Sequence, residues 1–586
     1  MSTKKLTVLY GSQTGTAQEV AERIWREGKR YSFEGPVLAM DEYQIPDLIH
    51  EPVVIFVCST TGQGTQPDNM KRFWKFLLKK NLPLNSLKNV RFSVLGLGDS
   101  SYVKFNHAAK KLYKRVLQLG GQPIIDPAYA DDQHDLGADA VVDPWISKLW
   151  NALGDPLVEQ NSRVVDPPRW IINVSKNDIA IPSNEVKKEE LLKSNSAKVT
   201  CISNVRLTPE DHFQETRLIK FTSENLQYVP GDVFMIKPQN CDKSVDTFFE
   251  IFNDRRNEIS ENCLVRVTKR FTDMAVPYAL QEPVPFRSIV KEYFDLNMIP
   301  RRYTFEILSH FTDSELEREK LIEFNTAEGQ QELYNYCNRP KRTILEVLAD
   351  FPHAVAKIPV EYLFEVFLPI RPRAFSIASA PEVHKNEIHI LVAVVRYKTN
   401  LKKPRIGLCS TWLASLQSGS VNPAYIRSGS FIFPKQIDIP VIMVGPGTGI
   451  APFRSYVHHS SALNPTSDRV VFFGCRNKTA DYYFHEEWTS LQENRKVRIF
   501  TAFSRDQSEK IYVQHVIEKN VQDIVKLVAQ QNAYIFVAGN SKNMPEAVKS
   551  AFISGYSKYE NVEQDYVEQL FEKMELNGRY QTETWS

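Results

Sequence analysis

Leu6-Thr-Val-Leu-Tyr10, Gly11-Ser-Gln-Thr-Gly-Thr16 and Ala17-Gln-Glu-Val-Ala-Glu-Arg-Ile-Trp25 follow one another without a break. The first piece is apolar and β-branched, as a strand buried on both faces must be. The last repeats its apolar residues at helical spacing. The loop between them is small and hydroxylated, so its backbone amides can approach an anion at the helix N-terminus, where the dipole favours negative charge. The strand runs VVIFVC (53–58) and VRFSVLGLG (90–98) and the helical run DNMKRFWKFLLKK (68–80) repeat the alternation. The pattern predicts a doubly wound parallel sheet over residues 1–153.

Two further loops follow strands of that sheet, Ser59-Thr-Thr-Gly-Gln-Gly64 and Gly96-Leu-Gly-Asp-Ser-Ser-Tyr102, the latter running on to Phe105-Asn106. Loops at the carboxyl ends of parallel strands form the crevice where such sheets bind ligands. Tyr102, in a polar loop, is available to stack on a flat ring, against the plain alternative of packing its own loop.

Residues 154–195 are rich in Pro, Asn and Lys and read as a linker. Short strand-like runs from 196 (AKVTCISNVRL, ETRLIKFT, DVFMIKP) predict an antiparallel barrel over 196–436. Helical stretches interrupt it over about 241–350. Residues 437–586 return to α/β alternation: IPVIMVG, RVVFFGC, KVRIFTAFS, AYIFVAGN. At 586 residues three or four domains are expected. A net charge of +2 gives no reason to expect nucleic acid or a membrane surface as partner. Seven scattered cysteines, without a CxxC or a zinc spacing, argue for a reducing compartment and against a metal site. No apolar run approaches the ~20 residues of a spanning helix, and a first strand at Leu6 leaves no room for a signal peptide. A cytoplasmic protein without a membrane anchor is expected.

Four later motifs carry chemistry. Arg373-Ala374-Phe375-Ser376 offers a guanidinium fork for a pyrophosphate, an aromatic ring and a hydroxyl. Gly407-Leu408-Cys409-Ser410 opens a helix, a second seat for an anion. Gly445-Pro-Gly-Thr448-Gly-Ile-Ala-Pro-Phe-Arg454 follows an apolar strand with glycines that allow close approach to a dinucleotide, although it is not GxGxxG. Ser504 and Arg505, then Lys510, Ile511, Tyr512, Val513 and Gln514, put two cations and hydroxyl and amide groups near another strand end, chemistry suited to a 2′-phosphate. Each alone passes for a strand edge, a helix cap or a solvated loop.

In this order the motifs resemble the cytochrome P450 reductase-like diflavin reductases over nearly the whole chain. That resemblance implies a multidomain protein: a flavodoxin-like α/β module, an antiparallel β-barrel FAD domain with a helical insertion, and an α/β NADPH-binding domain of ferredoxin–NADP reductase type. It implies FMN held by Ser12, Gln13, Thr14, Gly15, Thr16 and Ala17, by Ser59, Thr60, Thr61 and Gly62, by Leu97, Gly98, Asp99, Ser100, Ser101, Tyr102, Phe105 and Asn106, and by Asp132. Thr61 stands where the family offers an aromatic residue, which leaves Tyr102 to stack. FAD falls to Arg373, Ala374, Phe375, Ser376, Gly407, Leu408, Cys409 and Ser410, with Lys341 or Arg342 at its adenylate end. NADPH falls to Thr448, Ser504, Arg505, Lys510, Ile511, Tyr512, Val513 and Gln514. Near the chain end, Trp585 resembles the family's aromatic shield over FAD. The hydride-transfer cluster carries over in part: Ser376 matches, Glu583 replaces an Asp, and Ala538 stands where Cys is usual.

The runs RPRAFSIAS, GLCSTWL and QTETW are most similar to the compact branch that reduces the iron–sulfur protein anamorsin in cytosolic iron–sulfur cluster assembly. A reductase of haem proteins and a non-enzymatic flavin scaffold are the alternatives. Six aspartates (126, 131, 132, 135, 139, 143) lie in residues 116–147, which contain no Lys or Arg. They predict an acidic surface beside FMN for a basic acceptor, with 154–195 letting the FMN module swing.

Overall fold

The computed structural model describes residues 4–61, 64–102, 104–134, 136–154, 165–175, 186–253, 259–271, 274–326, 328–464 and 466–585. The chain divides into two units. One is Met1–Glu185, Lys243–Val290 and Phe294–Leu368; the other is Val186–Asp242, Lys291–Tyr293 and Pro369–Ser586.

The first unit begins with β1 (Thr7–Gly11), α1 (Thr16–Arg30), β2 (Val37–Ala39), β3 (Val53–Ser59), α2 (Lys71–Leu77), β4 (Arg91–Gly98), α3 (His107–Gln118), β5 (Ala128–Asp131) and α4 (Asp139–Leu153). The strands pair in parallel in the order β2-β1-β3-β4, with β5 along the far side of β4. Residues 53–58 are all buried because helices cover both faces. On one face Ala17, Ile24, Val142, Trp145 and Leu149 of α1 and α4 pack on Val8, Ile55 and Leu95. On the other, Phe73 and Leu77 of α2 and Leu112 and Val116 of α3 pack on Phe56, Phe92 and Val94. All three flavin loops therefore open at one edge of the sheet, as the sequence pattern requires.

Within 154–195, residues 155–164 and 176–185 lie outside the described residues. The part between them is not a bare tether. It forms β6 (Trp170–Ser175), whose Trp170 and Ile172 are buried. Asp166 pairs with Arg30 at 2.9 Å, and Arg169 pairs with Glu22 and Glu365 at 3.0 and 2.9 Å. The alternation W-I-I-N-V is a strand signal within a stretch whose overall composition reads as linker.

The barrel starts with β7 (Ser196–Arg206), β8 (Thr216–Thr222) and β9 (Val233–Ile236). The insertion then contributes β10 (Leu264–Lys269), antiparallel to β6, and helices including α5 (Arg302–Phe311). It runs on to Leu368, past the expected end near 350. Pro352 at the first helical position and Pro359 as N-cap start two more helices rather than ending the layer. The barrel resumes with β11 (Arg373–Ser376), β12 (Glu387–Ala393), α6 (Leu408–Ser415) and β13 (Val421–Arg427). The antiparallel order is β11-β9-β13-β7-β8-β12. A bridge from Ile377 to Ile390 on β12 nearly closes it.

The C-terminal module holds β14 (Val441–Val444), α7 (Ala451–Ala462), β15 (Arg469–Cys475), β16 (Arg498–Phe503), α8 (Val513–Lys519), β17 (Tyr534–Asn540) and β18 (Tyr580–Trp585). It is a parallel sheet ordered β16-β15-β14-β17-β18. Among the described residues no helix is long and apolar enough to cross a membrane.

Arg454, the last residue of the glycine-rich motif, joins barrel and C-terminal module within the second unit. Its side chain is 5% exposed, grips both carboxylate oxygens of Glu487 at 2.8 Å and donates to Ala378 O at 2.6 Å. His458 shares Glu487, and His384 and His389 pack beside it. Burial, then the neighbouring cations, holds His384 and His389 down to about 3. Despite burial, His458 and Arg454 hold Glu487 down to about 2. All three groups favour the folded state at neutral pH. The histidines' contribution begins to fall below their unfolded value near 6.5 and is lost toward 3; that of Glu487 fades from about 4.5 toward 2. Thermal midpoints measured by calorimetry should therefore drop steadily once pH falls below about 6.5. A flat midpoint between pH 7 and 5 would contradict this account.

Candidate cofactor sites

The first loop is built around Ser12. Its amide donates to Asn69 Oδ1 and its buried hydroxyl accepts from Gly15 N–H, both at 2.9 Å. Gln13 and Asp68 hold each other through bonds of 2.9 and 3.1 Å. Gly15, at φ 110°, caps α1 without a side-chain bond. The first amides of α1 are thus left for an anion, with Thr14 and Thr16 exposed beside them and Ala17 buried beneath. In the second loop Ser59 donates to Gly11 O at 3.3 Å, and Thr60 accepts from Ala108 N–H at 3.2 Å. Thr61 bridges to Thr65, and Gly62 lies outside the described residues. In the third, Leu97 and Gly98 end β4. Asp99 accepts from Ser101 N–H at 2.8 Å and, through its carbonyl, from Tyr102 N–H at 3.2 Å. Ser100 N–H donates to Asp131 at 2.8 Å, and Tyr102 and Phe105 are half-buried. Asn106, at φ 53°, donates to Ala130 O at 2.9 Å, while its buried Oδ1 has no partner among the described residues.

Of the aspartates in residues 116–147, Asp126 and Asp132 are exposed, and Asp131, Asp139 and Asp143 are half-buried. Asp143 is taken by Arg23 at 2.6 Å and by Arg302 of α5. Though partly buried, Asp131 is held below the usual carboxylate range by bonds from Ser100 and Gln133. Burial, then Asp99, raises Asp132, with Lys341 opposing. Asp132, Asp139 and Asp143 line a cleft of about 1480 Å³ with Arg23, Arg30 and Arg301. Arg301 itself pairs with Glu19 at 3.0 Å. Asp143 thereby serves the packing of α1 and α4 on the insertion. Asp135 lies outside the described residues. Lys341, at φ 54°, lines the same cleft as Asp132, and Arg342 is held by Asp350 at 3.0 Å and Tyr336 O at 3.1 Å. Both belong to the first unit.

In the barrel, β11 pairs with β9, which sets Phe375 opposite Phe234 and leaves Arg373 and Ala374 exposed. Gly407 N-caps α6 with no side-chain bond, so the amides of Leu408 and its neighbours stay available. Ser410 Oγ accepts from Val395 N–H at 3.0 Å, which fixes the turn. Cys409 joins Phe375 in the barrel core, and burial pushes its thiol up to about 12, opposed by Arg373. The two motifs, 34 residues apart in the chain, meet here.

In the C-terminal module Gly447 (φ 58°) turns the loop with open space where a Cβ would stand, and Thr448 is half-buried beside it. Ser504 at the end of β16 is buried and donates to Cys475 O at 3.2 Å. Arg505 and Lys510 are exposed, and neither is paired with a carboxylate among the described residues. Ile511 and Val513 pack into the core beneath, Tyr512 caps α8 and is 41% exposed, and Gln514 is half-buried. The sequence reading missed Arg476, whose carbonyl accepts from Arg505 N–H at 2.8 Å and whose guanidinium lies 3.2 Å from the Phe213 ring centre. The triplet Gly474-Cys475-Arg476 at the end of β15 was its only signal.

Pairing of β17 with β18 places Glu583 opposite Ala538 and Trp585 opposite Asn540. Glu583 accepts from Ser376 at 3.5 Å, the outer limit of a hydrogen bond, and from Ser430 at 2.6 Å. Burial raises the Glu583 carboxyl above its ordinary value, with the two hydroxyls and Arg427 opposing. Ser430 was not foreseen. It lies 153 residues from its partner in a loop without a motif. Trp585 is 38% exposed, and its carbonyl accepts from Ser541 N–H at 2.9 Å.

Family models agree with this division. A flavodoxin model matches residues 8–145, an FAD-binding domain model 190–412 and an oxidoreductase NAD-binding domain model 443–550. A Xenopus laevis protein named NADPH-dependent diflavin oxidoreductase 1 is 44% identical over 609 residues, covering all of both chains. This chain belongs to the NADPH-dependent diflavin oxidoreductase family. Proteins of the same name are 37% identical in Arabidopsis thaliana, over all of this chain and 99% of that one, and 42% identical in Mus musculus, over all of both. The reductase is thus an enzyme of the P450 reductase-like class that uses FMN, FAD and NADPH. Its residues fit those groups: uncapped amides at α1 and α6, an orphaned Asn106 oxygen, and two unpaired cations past β16.

For Trp585→Ala the expected result is weaker discrimination between NADPH and NADH, because an unshielded ring no longer demands tight 2′-phosphate anchoring to displace the indole. The check is kcat/KM for both nucleotides; equal ratios in variant and parent would count against the shield.

Proposed function

We propose that this reductase carries electrons from NADPH through FAD and FMN to a protein acceptor, an iron–sulfur protein resembling anamorsin, in cytoplasmic iron–sulfur cluster assembly. The observation that carries the redox reading is the contact of Ser376, Ser430 and Glu583. It brings the barrel motif and the last strand of the nucleotide-binding module to one point. When bound, FAD takes a hydride from NADPH and FMN releases electrons singly. The chain's part is to position: α1 and α6 offer amides to phosphates, Arg505 and Lys510 offer charge, and Trp585 covers or uncovers the ring. Support for the acceptor comes from the likeness of RPRAFSIAS, GLCSTWL and QTETW to the anamorsin-reducing branch. The test is anaerobic stopped-flow reduction of anamorsin and of a P450 by the NADPH-reduced protein. Faster reduction of anamorsin supports the assignment, and faster reduction of the P450 replaces it with a haem-protein reductase. A yellow protein that NADPH does not bleach would be a flavin scaffold.

A further inference from the structure

Between Asp68 and Gln118 the sequence has twelve Lys and Arg against two Asp, in a chain whose net charge is only +2. The fold gathers this excess. Helices α2 and α3 cover one face of the first sheet, and α1 and α4 cover the other. The α1/α4 face is spent on the insertion through Arg23, Asp143 and Arg302. The α2/α3 face turns Lys71, Lys75, Lys79, Lys80, Lys111 and Lys114 outward. Of these, Lys71 pairs with Asp68. The others have no carboxylate partner among the described residues. Arg115 ties the layer together by donating to Leu77 O at 2.7 Å.

Three observations say what this face is for. First, α2 and α3 lead directly out of the second and third flavin loops. The loops touch where the stem of Lys104 and His107 pack against Gly64, so the cations rim the flavin site. Second, the charges add up locally. Burial together with Lys111, Lys104, Lys110 and Lys114 holds His107 below its ordinary value. Third, Leu78 and Leu84 are 52% and 73% exposed at the end of α2, while Trp74, Phe76 and Tyr113 are half-buried. Exposed apolar side chains rimmed by polar ones suit a protein partner. Single-stranded nucleic acid would instead want open aromatic platforms.

We propose that the α2/α3 face docks an acidic protein acceptor and steers it to the FMN edge. This rests on the electron-transfer reading above and reverses the sign of partner expected from residues 116–147. One-sided charge near a redox centre raises encounter rates by ~10-fold or more at low salt, and the gain is screened as salt rises.

The test uses the full chain loaded with both flavins and two one-electron probes, acidic cytochrome b5 and basic cytochrome c. Oxidation of one NADPH gives two electrons and a proton, so two ferric haems are reduced per NADPH. Cytochrome b5 should be reduced about 10-fold faster at low than at high ionic strength, with no such acceleration for cytochrome c. The triple variant Lys75→Glu/Lys111→Glu/Lys114→Glu should reverse that order, and the corresponding Gln variant should flatten the salt dependence. Ferricyanide reduction, which needs no docking, should hold in all three proteins. Its absence in the parent would instead sink the electron-transfer reading. Cytochrome salt dependences indifferent to both variants would overturn the docking face. So would binding of an RNA duplex or phosphatidylserine vesicles that the variants abolish while cytochrome rates stay unchanged.

Discussion

Replacing Glu583 with Gln should slow NADPH oxidation by about 10²-fold, the lower end of what one preorganised electrostatic group is worth in an active site. The substituted amide is nearly isosteric and can still accept from Ser430, so the strand pairing of β17 with β18 survives. What goes is the negative charge. Hydride departure leaves a cationic nicotinamide, and a carboxylate nearby favours that product while a neutral group does not. The pH profile separates this role from a structural one. Burial raises the Glu583 carboxyl above 4.5, and the ionised form is the active one. The rate should therefore fall as pH drops through that raised value, earlier than for an ordinary carboxylate. In Glu583→Gln the acid limb should vanish, with an unchanged thermal midpoint. A variant that keeps both the rate and the limb would remove Glu583 from hydride transfer. Ala538, directly across the ladder, has no thiol to share the task, which leaves Glu583, Ser376 and Ser430 as the polar groups of the cluster.

The sheet of the first module was readable because its strands are buried on both faces, which calls for continuous apolar runs such as 53–58. The flavin loops followed, since loops at carboxyl strand ends have one place to go. Long-range pairings were not readable in the same way. Nothing near Ser430 announces that its hydroxyl meets Glu583. Arg454 closes a glycine-rich phosphate motif yet folds inward to Glu487, because a guanidinium with a bidentate carboxylate in reach is more stable buried there than exposed. The aspartates of 116–147 divide for a related reason, Asp126 and Asp132 staying exposed. Composition reports charge, but α4 turns Asp139 and Asp143 toward the arginines of α1 and the insertion. In the basic run at 68–118, Lys75, Lys79, Lys80, Lys111 and Lys114 have no carboxylate partner among the described residues and lie outside.

Arg505→Ala should cost the preference for NADPH over NADH roughly 1.5–3 kcal/mol, the range for one hydrogen bond to a charged group. That is about 10- to 150-fold in the ratio of kcat/KM values. The sheet order places Arg505 just past the end of β16, the strand farthest from β18. Its backbone is fixed by the bond to Arg476 O and its guanidinium is exposed without a carboxylate to satisfy it. Such a cation costs nothing to redirect to a phosphate, whereas a paired one must first give up its partner. Lys510, equally unpaired, supplies the second charge, so Lys510→Ala should act in the same direction with a smaller effect, a point charge lacking the two-pronged fork. Both losses should appear with NADPH alone. NADH, having no 2′-phosphate, should be oxidised at the parent rate. A matched fall with both nucleotides would mean that Arg505 supports the fold of the loop instead, and an unchanged ratio would place the 2′-phosphate elsewhere, with Arg476 the next candidate.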